Sequence, residues 1–315
     1  MENTTSYDII GDIHGHLAPL EALLTKLGYQ RRSGAWQHST RKAVFVGDFI
    51  DRGPNQVAVV QTARAMVDAG NAIAVMGNHE LNASAYFHVD PHTGKPLRRH
   101  DDENRKQHGA FLAEVEGTPL HAELIGWFLT LPLWLDLPGL QVVHACWHPS
   151  SMRYLSGRLQ DRRLPLELLA EATLEPADGS KPAPGTTLFG AVEALTKGIE
   201  VPLPEGVVFQ DHGGRERRHA RVPWWKADAT YRDSLGVDDA ARSQLPQTPL
   251  PDHAVAGMQR EKPVLFGHYW MSGVPTVAGP LATCIDYSIA QKGLLCAYRF
   301  DGEPTLETGR LVSVA

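Results

Sequence analysis

Three stretches of this chain repeat one design: a short apolar run, a glycine, and then a cluster of side chains able to hold metals or move protons. They are Gly11-Asp12-Ile13-His14-Gly15 after Tyr7–Ile10, Gly47-Asp48-Phe49-Ile50-Asp51-Arg52-Gly53 after Ala43–Val46, and Gly77-Asn78-His79-Glu80 after Ala72–Met76. A compact apolar run reads as a buried strand, and the glycine lets the backbone turn tightly beside whatever the cluster binds. Between the runs, Leu20, Leu23, Leu24 and Leu27 share one helical face closed by Gly28, and Val59, Ala63, Met66 and Val67 share another ended by Gly70. Strand, loop and helix alternate, which predicts an α/β architecture. Ligands gather at the carboxyl ends of strands in open α/β sheets. The three clusters, with His144 after Leu140–Val143 and His268 after Val264–Phe266, can therefore converge on one pocket.

Asp12, His14, Asp48, Asn78, His144 and His268 offer oxygen and imidazole nitrogen and no thiolate. That donor mix suits manganese, iron(II) or zinc rather than calcium, with manganese the first expectation. Two ions about 3.5–4 Å apart can share one carboxylate and clamp the attacking and leaving oxygens of a displacement, which accounts for six donors rather than three.

The segments GDIHG, GDFIDRG and GNHE, in this order and followed by histidines after later strands, resemble the calcineurin-like metallophosphoesterases, specifically their phosphoprotein phosphatase branch of bacterial type. The resemblance is close over residues 7–82, holds at the strand ends near 144 and 268, and is looser around Cys284-Ile285-Asp286 and Leu294–Phe300. It implies a metallophosphatase fold, two packed mixed β-sheets flanked by helices. It also implies that Asp12 and His14 hold a first divalent metal, that Asp48 bridges, and that Asn78, His144 and His268 hold a second. Asp51 and His79 would be the catalytic pair, with His79 donating to the leaving oxygen and Arg52 meeting phosphate oxygens through its planar fork. The nucleophile so implied is a metal-bound hydroxide. One departure stands out: the family follows its strand-end histidine with two small residues, whereas here the run is His144-Ala145-Cys146-Trp147. The family's additional arginine has Arg153, Arg218 and Arg221 as candidates.

The remainder of the chain bounds these expectations. With 43% hydrophobic and 21% charged residues over 315 positions, the composition is that of a folded globular protein. A formal charge of -6 argues against nucleic acid as a partner. The apolar run Ile125–Leu137 is interrupted by Gly126, Thr130, Pro132 and Asp136, so no membrane span is expected. Cys146, Cys284 and Cys296 lack CxxC spacing and phosphate-loop context, which sets aside a disulfide framework and a thiol-based phosphatase. The polar start of the chain carries no leader pattern, and a cytoplasmic protein is expected.

Residues 88–108, rich in histidine, read as a long solvated loop, and a helix from Pro119 capped by Thr118 follows as far as Trp127. The organisation expected is a single domain over 1–315 with a cap-like insertion at 149–261. In that insertion Leu166–Ala172 reads as a helix, and Arg215, Arg217, Arg218 and Arg221 beside Trp224 and Trp225 form a candidate substrate surface. Asp211-His212-Gly213-Gly214 is rejected as a ligand segment because two polar residues separate it from the preceding apolar run. Glu80 and Asp286 read as structural carboxylates.

The reaction expected is hydrolysis of phosphate monoesters, as in serine/threonine phosphatases. The alternatives are hydrolysis of a dinucleoside polyphosphate or other nucleotide, and a non-catalytic metal-binding module. The partner is accordingly a phosphorylated small molecule, a nucleotide or a phosphoprotein.

Overall fold

The computed structural model describes residues 6–175, 182–210, 214, 216–226, 228–255 and 260–315. Ser6–Ile10, Arg41–Phe45 and Ala72–Ala74 pair in parallel, side by side, with a helix between each pair: Leu17–Leu27, then Gln56–Asp68. Leu294–Phe300 adds to the free edge of Ser6–Ile10 in antiparallel register and carries Asp286–Tyr287 and Leu311–Val314 as its own partners. A second mixed sheet runs in the order Ala282–Cys284, Val264–Phe266, Leu140–Val143, Trp134–Leu137.

The two sheets pack face to face because their strands alternate. Tyr7, Ile9, Val44 and Val46 of the first sheet meet Leu140, Val142 and Leu265 of the second in one buried cluster, while Ile10, Ala43, Phe45, Val143 and Phe266 point the other way into a larger cluster that takes in the helices. This is the metallophosphatase fold. The leucines of Leu17–Leu27 are buried as their spacing requires, and Gly28, at φ 93°, closes that helix with its N–H on Leu24 and Thr25 carbonyls.

At the outer end of the first sheet Asp8 is fully buried and accepts from both Arg41 and Arg299, so three strands are tied by one carboxylate. Leu140–Val143 and Val264–Phe266 are direct parallel neighbours although more than a hundred residues separate them. Within that excursion lie the helices Pro149–Ser156, Leu166–Thr173 and Leu188–Lys197.

Residues 88–108 depart from the solvated loop read in the sequence. Asp102–Gln107 is a helix capped by the Asp101 carboxylate on the Asn104 N–H, and the segment is tied down by Arg98 N–H on the Ala85 carbonyl and His100 stacked on Tyr86 at 3.9 Å. Among the described residues no helix is long and apolar enough to cross a membrane.

Candidate metal centre

Strand ends aim the polar clusters at one point through backbone conformations that L-residues seldom adopt. His14, Asp48, Asp51, Arg52 and His268 all have positive φ, between 47° and 76°. Such residues each cost on the order of 1–3 kcal/mol and persist where surrounding contacts over-determine them. Glu80 supplies much of that determination: its carboxylate accepts from the N–H groups of Asp48 (2.8 Å), Phe49 (2.9 Å) and Gly77 (3.0 Å), locking two strand ends together. Asp286 does the same for a third, accepting from Trp270 and Ser288. Two glycines are required by proximity. A Cβ at Gly77 would collide with Asp48, and one at Gly267 with the Asp12 carboxylate.

The six donors named from the sequence come together. Ligand atoms of Asp48, His144 and His268 lie within 4.8 Å of one another, as do those of His14, Asp48 and His79, so Asp48 is common to both groups. Asn78 Oδ1 lies 3.0 Å from His144 Nε2 and 2.8 Å from His268 Nδ1, completing a four-residue cluster. His144 Nδ1 donates to the Val46 carbonyl and His14 Nδ1 to the Ile50 carbonyl, which turns the Nε2 atom of each ring toward Asp48. Asp12 Oδ2 accepts from the His268 N–H at 3.0 Å.

The donor set fits divalent cations. Asp12 Oδ1, His14 Nε2 and His268 Nε2 are buried with no hydrogen-bond partner among the described residues. Each such group costs about 1–3 kcal/mol unless a ligand satisfies it. Burial, reinforced by His79, pushes His14 down to about 3, and burial with Arg221 and His144 pushes His268 well below its usual value, so both rings are neutral as ligation requires. Burial works against the charged form of His144, but Asp48 outweighs it and holds the ring up at about 10.

Behind this cluster stands a second unit. Asp51 Oδ2 lies 2.5 Å from His79 Nδ1 and 2.8 Å from His108 Nδ1, all three residues being buried. One carboxylate oxygen thus accepts from two imidazoles. Burial would raise the Asp51 carboxyl, yet the hydrogen bonds from His108 and His79 hold it down at about 2. For His79 burial is outweighed by Asp48 and Asp51, which hold the ring above its ordinary value. Proximity alone would admit His79 as a ligand beside His14 and Asp48. Its Nδ1 is backed by the Asp51 carboxylate, its ring is held above its ordinary value by Asp48 and Asp51, and Asp12 keeps a buried oxygen without a partner among the described residues. Arg52 reaches the rim, its guanidinium 4.4 Å from the Trp270 ring.

His108 was missed by sequence reasoning, which took the whole histidine scatter for a loop. It has no exposed surface. The only local hint is the apolar Phe111, Leu112 and Val115 that follow, the buried face of the helix Gly109–Val115.

A cavity of about 850 Å³ is lined by Asn78 and His268 and walled by Arg98, Arg99, Lys197, Arg217 and Arg221 together with Glu103, Glu175, Glu193 and Glu200. Of the arginines considered from the sequence, Arg221 reaches it. Arg218 lies outside that wall, largely in solvent and paired with Glu216, as does Arg153, which is exposed. Trp224 and Trp225 are not a stacking platform: both are buried against Phe266, and the Trp224 indole donates to the Ala145 carbonyl. Residues 211–213 and Arg215 lie outside the described residues. His148 caps the helix Pro149–Ser156 by accepting from the Ser151 N–H. The three cysteines are buried and unpaired.

With this geometry established, comparison with known proteins is decisive at the level of family. A sequence model of the calcineurin-like phosphoesterases matches residues 6–175. The chain belongs to that family. This calcineurin-like phosphoesterase is a metal-dependent phosphoester hydrolase, which removes the non-catalytic module from consideration. It is 33% identical over 176 residues to a bis(5'-nucleosyl)-tetraphosphatase PrpE [asymmetrical] of Oceanobacillus iheyensis, a match covering 56% of this chain and 68% of that one. The Bacillus subtilis protein of the same name is 41% identical over 87 residues, 27% of this chain and 36% of that one. A Saccharomyces cerevisiae protein serine/threonine phosphatase structure aligns over 99% of this chain and 80% of that chain, at 15% identity and TM-score 0.48.

Proposed function

We propose that this phosphoesterase hydrolyses the phosphoanhydride chain of dinucleoside polyphosphates of the diadenosine tetraphosphate type, in preference to the phosphate monoesters first expected. The observation that carries this reading is the cavity of about 850 Å³, which takes in Asn78 and His268, carries five arginine and lysine side chains against four glutamates in its wall, and is far roomier than a single phosphoryl group needs. The name of the Oceanobacillus iheyensis relative points the same way. Residues 149–261 act as a cap: Lys197, Arg217 and Arg221 come from that stretch.

Asp12, His14 and Asp48 would hold one divalent cation, and Asp48, Asn78, His144 and His268 a second, with manganese favoured over iron or zinc. Bound there, the cations would make a water acidic enough to attack near neutrality and would offset charge on the phosphoryl oxygens. His79 presents Nε2 to the leaving phosphate oxygen and gives up its proton there. Asp51 accepts from His79 Nδ1, fixing ring and tautomer, and His108 holds Asp51 in turn. Arg52 meets a non-bridging oxygen from the rim, steadied by Trp270.

Turnover of diadenosine tetraphosphate, a phosphothreonine peptide and 4-nitrophenyl phosphate by manganese-loaded enzyme tests the reading. A kcat/KM for diadenosine tetraphosphate at least tenfold above the other two is the expected result. Chromatography of the nucleotides then separates AMP plus ATP from two ADP. A preference for the phosphopeptide would overturn the proposal.

A further inference from the structure

One cation in the cavity wall is unlike its neighbours. Lys197 pairs with Glu193, Arg221 faces Glu200 at 3.9 Å, and Arg99 pairs with Asp101 in solvent. Arg98 has no carboxylate within ion-pair distance among the described residues. Its Nη2 donates to Gln107 Oε1 at 2.8 Å, Nη1 lies 3.4 Å from Asn82 Oδ1, and Nε is buried without a partner. Burial pushes its pKa down, against the pull of several more distant carboxylates. A guanidinium so placed carries a charge that no carboxylate within ion-pair distance offsets among the described residues, and its natural complement is an anion with two oxygens to meet the planar fork.

Position adds to chemistry. Asn82 follows Asn78 by one turn on the helix Asn78–Phe87. That separates the two along the axis by roughly 6 Å. Arg98 touches Asn82, so its contact lies about one helical turn along the cavity wall from the metal-centre asparagine. A lone phosphoryl group seated at Asn78 and His268 does not span that distance, whereas a run of linked phosphates does.

We infer that Arg98, held by Asn82 and Gln107, binds a phosphate beyond the one under attack and so selects linked phosphate chains over monoesters. The inference rests on the anhydride reading above for its ligand. It assigns to residues 88–108 a role in specificity, with Gln107 and Asn82 fixing the plane of a fork that lines the cavity.

The test compares wild type with Arg98→Gln and Arg98→Lys, both checked for an unchanged melting temperature. Two readouts are taken: kcat and KM for diadenosine tetraphosphate and 4-nitrophenyl phosphate, and inhibition of 4-nitrophenyl phosphate turnover by inorganic tripolyphosphate and by orthophosphate. A charge-assisted pair is worth roughly ten- to hundredfold, so Arg98→Gln should lose that much more kcat/KM on diadenosine tetraphosphate than on 4-nitrophenyl phosphate, chiefly through KM. Tripolyphosphate inhibition should weaken by a similar factor relative to orthophosphate, and Arg98→Lys should recover part of both. Equal losses on the two substrates, or tripolyphosphate inhibition unaltered relative to orthophosphate, would overturn the inference while leaving the anhydride reading intact. Wild-type enzyme that fails to cleave diadenosine tetraphosphate, yet shows the tripolyphosphate effect, would instead sink the anhydride reading and keep the Arg98 site.

Discussion

The cradle for the metals and the wall of the cavity beside it are built by opposite means. In the cradle, five strand ends deliver Asp12, Asp48, Asn78, His144 and His268 with almost no exposed surface, Asp48 and His268 on backbone held at positive φ, the whole bolted by Glu80 and Asp286. In the wall, Arg99, Lys197, Arg217 and Arg221 sit on short helices, short strands and loops, with more accessible side chains and pairs such as Arg221 with Glu200 at 3.9 Å. The cradle pays in strain for fixed geometry, whereas the wall keeps its charges near water. On the proposed function this amounts to a division of labour, in which the sheets would fix the reaction and the segments after 88 and after 149 would fix what can enter. Substitutions in the cradle should change kcat, and those in the wall should change KM and substrate preference.

The sharpest way to break that division is His79→Asn. Removing a positioned acid costs about 10²–10⁴-fold in kcat, and the loss should be greatest for substrates with poor leaving groups. Elemental analysis of the same variant should find its metal content unchanged. Loss of one ion per chain would make His79 a ligand instead.

A smaller effect is expected at the junction of the two regions. His108→Ala leaves Asp51 with one imidazole in place of two, and a buried hydrogen bond to a charged group is worth about 1.5–3 kcal/mol. We expect kcat to fall roughly tenfold or somewhat more, with KM little altered, and His108→Asn to recover part of the loss. A change in KM alone would place His108 with the wall.

The smallest effect belongs to Arg221, whose side chain is 37% exposed. Arg221→Gln should raise KM for diadenosine tetraphosphate by roughly three- to tenfold, as befits a solvent-screened charge, and leave metal content as it was. A drop in kcat with constant KM would bring Arg221 into the cradle.

The same contrast governs what could be read from the sequence. Cradle residues were legible because metal chemistry demands particular donors, and strands that stop at glycine say where those donors point. Each of Asp12, His14, Asp48, Asn78, His144 and His268 sits at such a stop; the structure groups Asp48 with His144 and His268 and with His14, sets Asn78 against both later histidines, and ties Asp12 to the His268 N–H. The strands followed from the same runs, with ends displaced by a residue or two, as at Arg41–Phe45, whereas their division into two mixed sheets was implied by the family resemblance.

His108 was not legible, because its partner Asp51 lies 57 residues away and nothing local distinguishes a buried histidine from a solvated one. The Trp224 and Trp225 pair misled for a related reason. Aromatic rings beside arginines suit a stacking surface or a core equally well, and packing on Phe266 decides for the core. Helix Leu188–Lys197 escaped notice inside a stretch in which only Leu166–Ala172 was read as helical.

All of this depends on Asp48 being shared between two cation sites. Plasma mass spectrometry on the purified, dialysed chain and on Asp48→Asn measures that directly. We predict two divalent ions per chain in the wild type and the loss of both in the variant. A single ion in the wild type, or two still bound when Asp48 is replaced, would contradict the account.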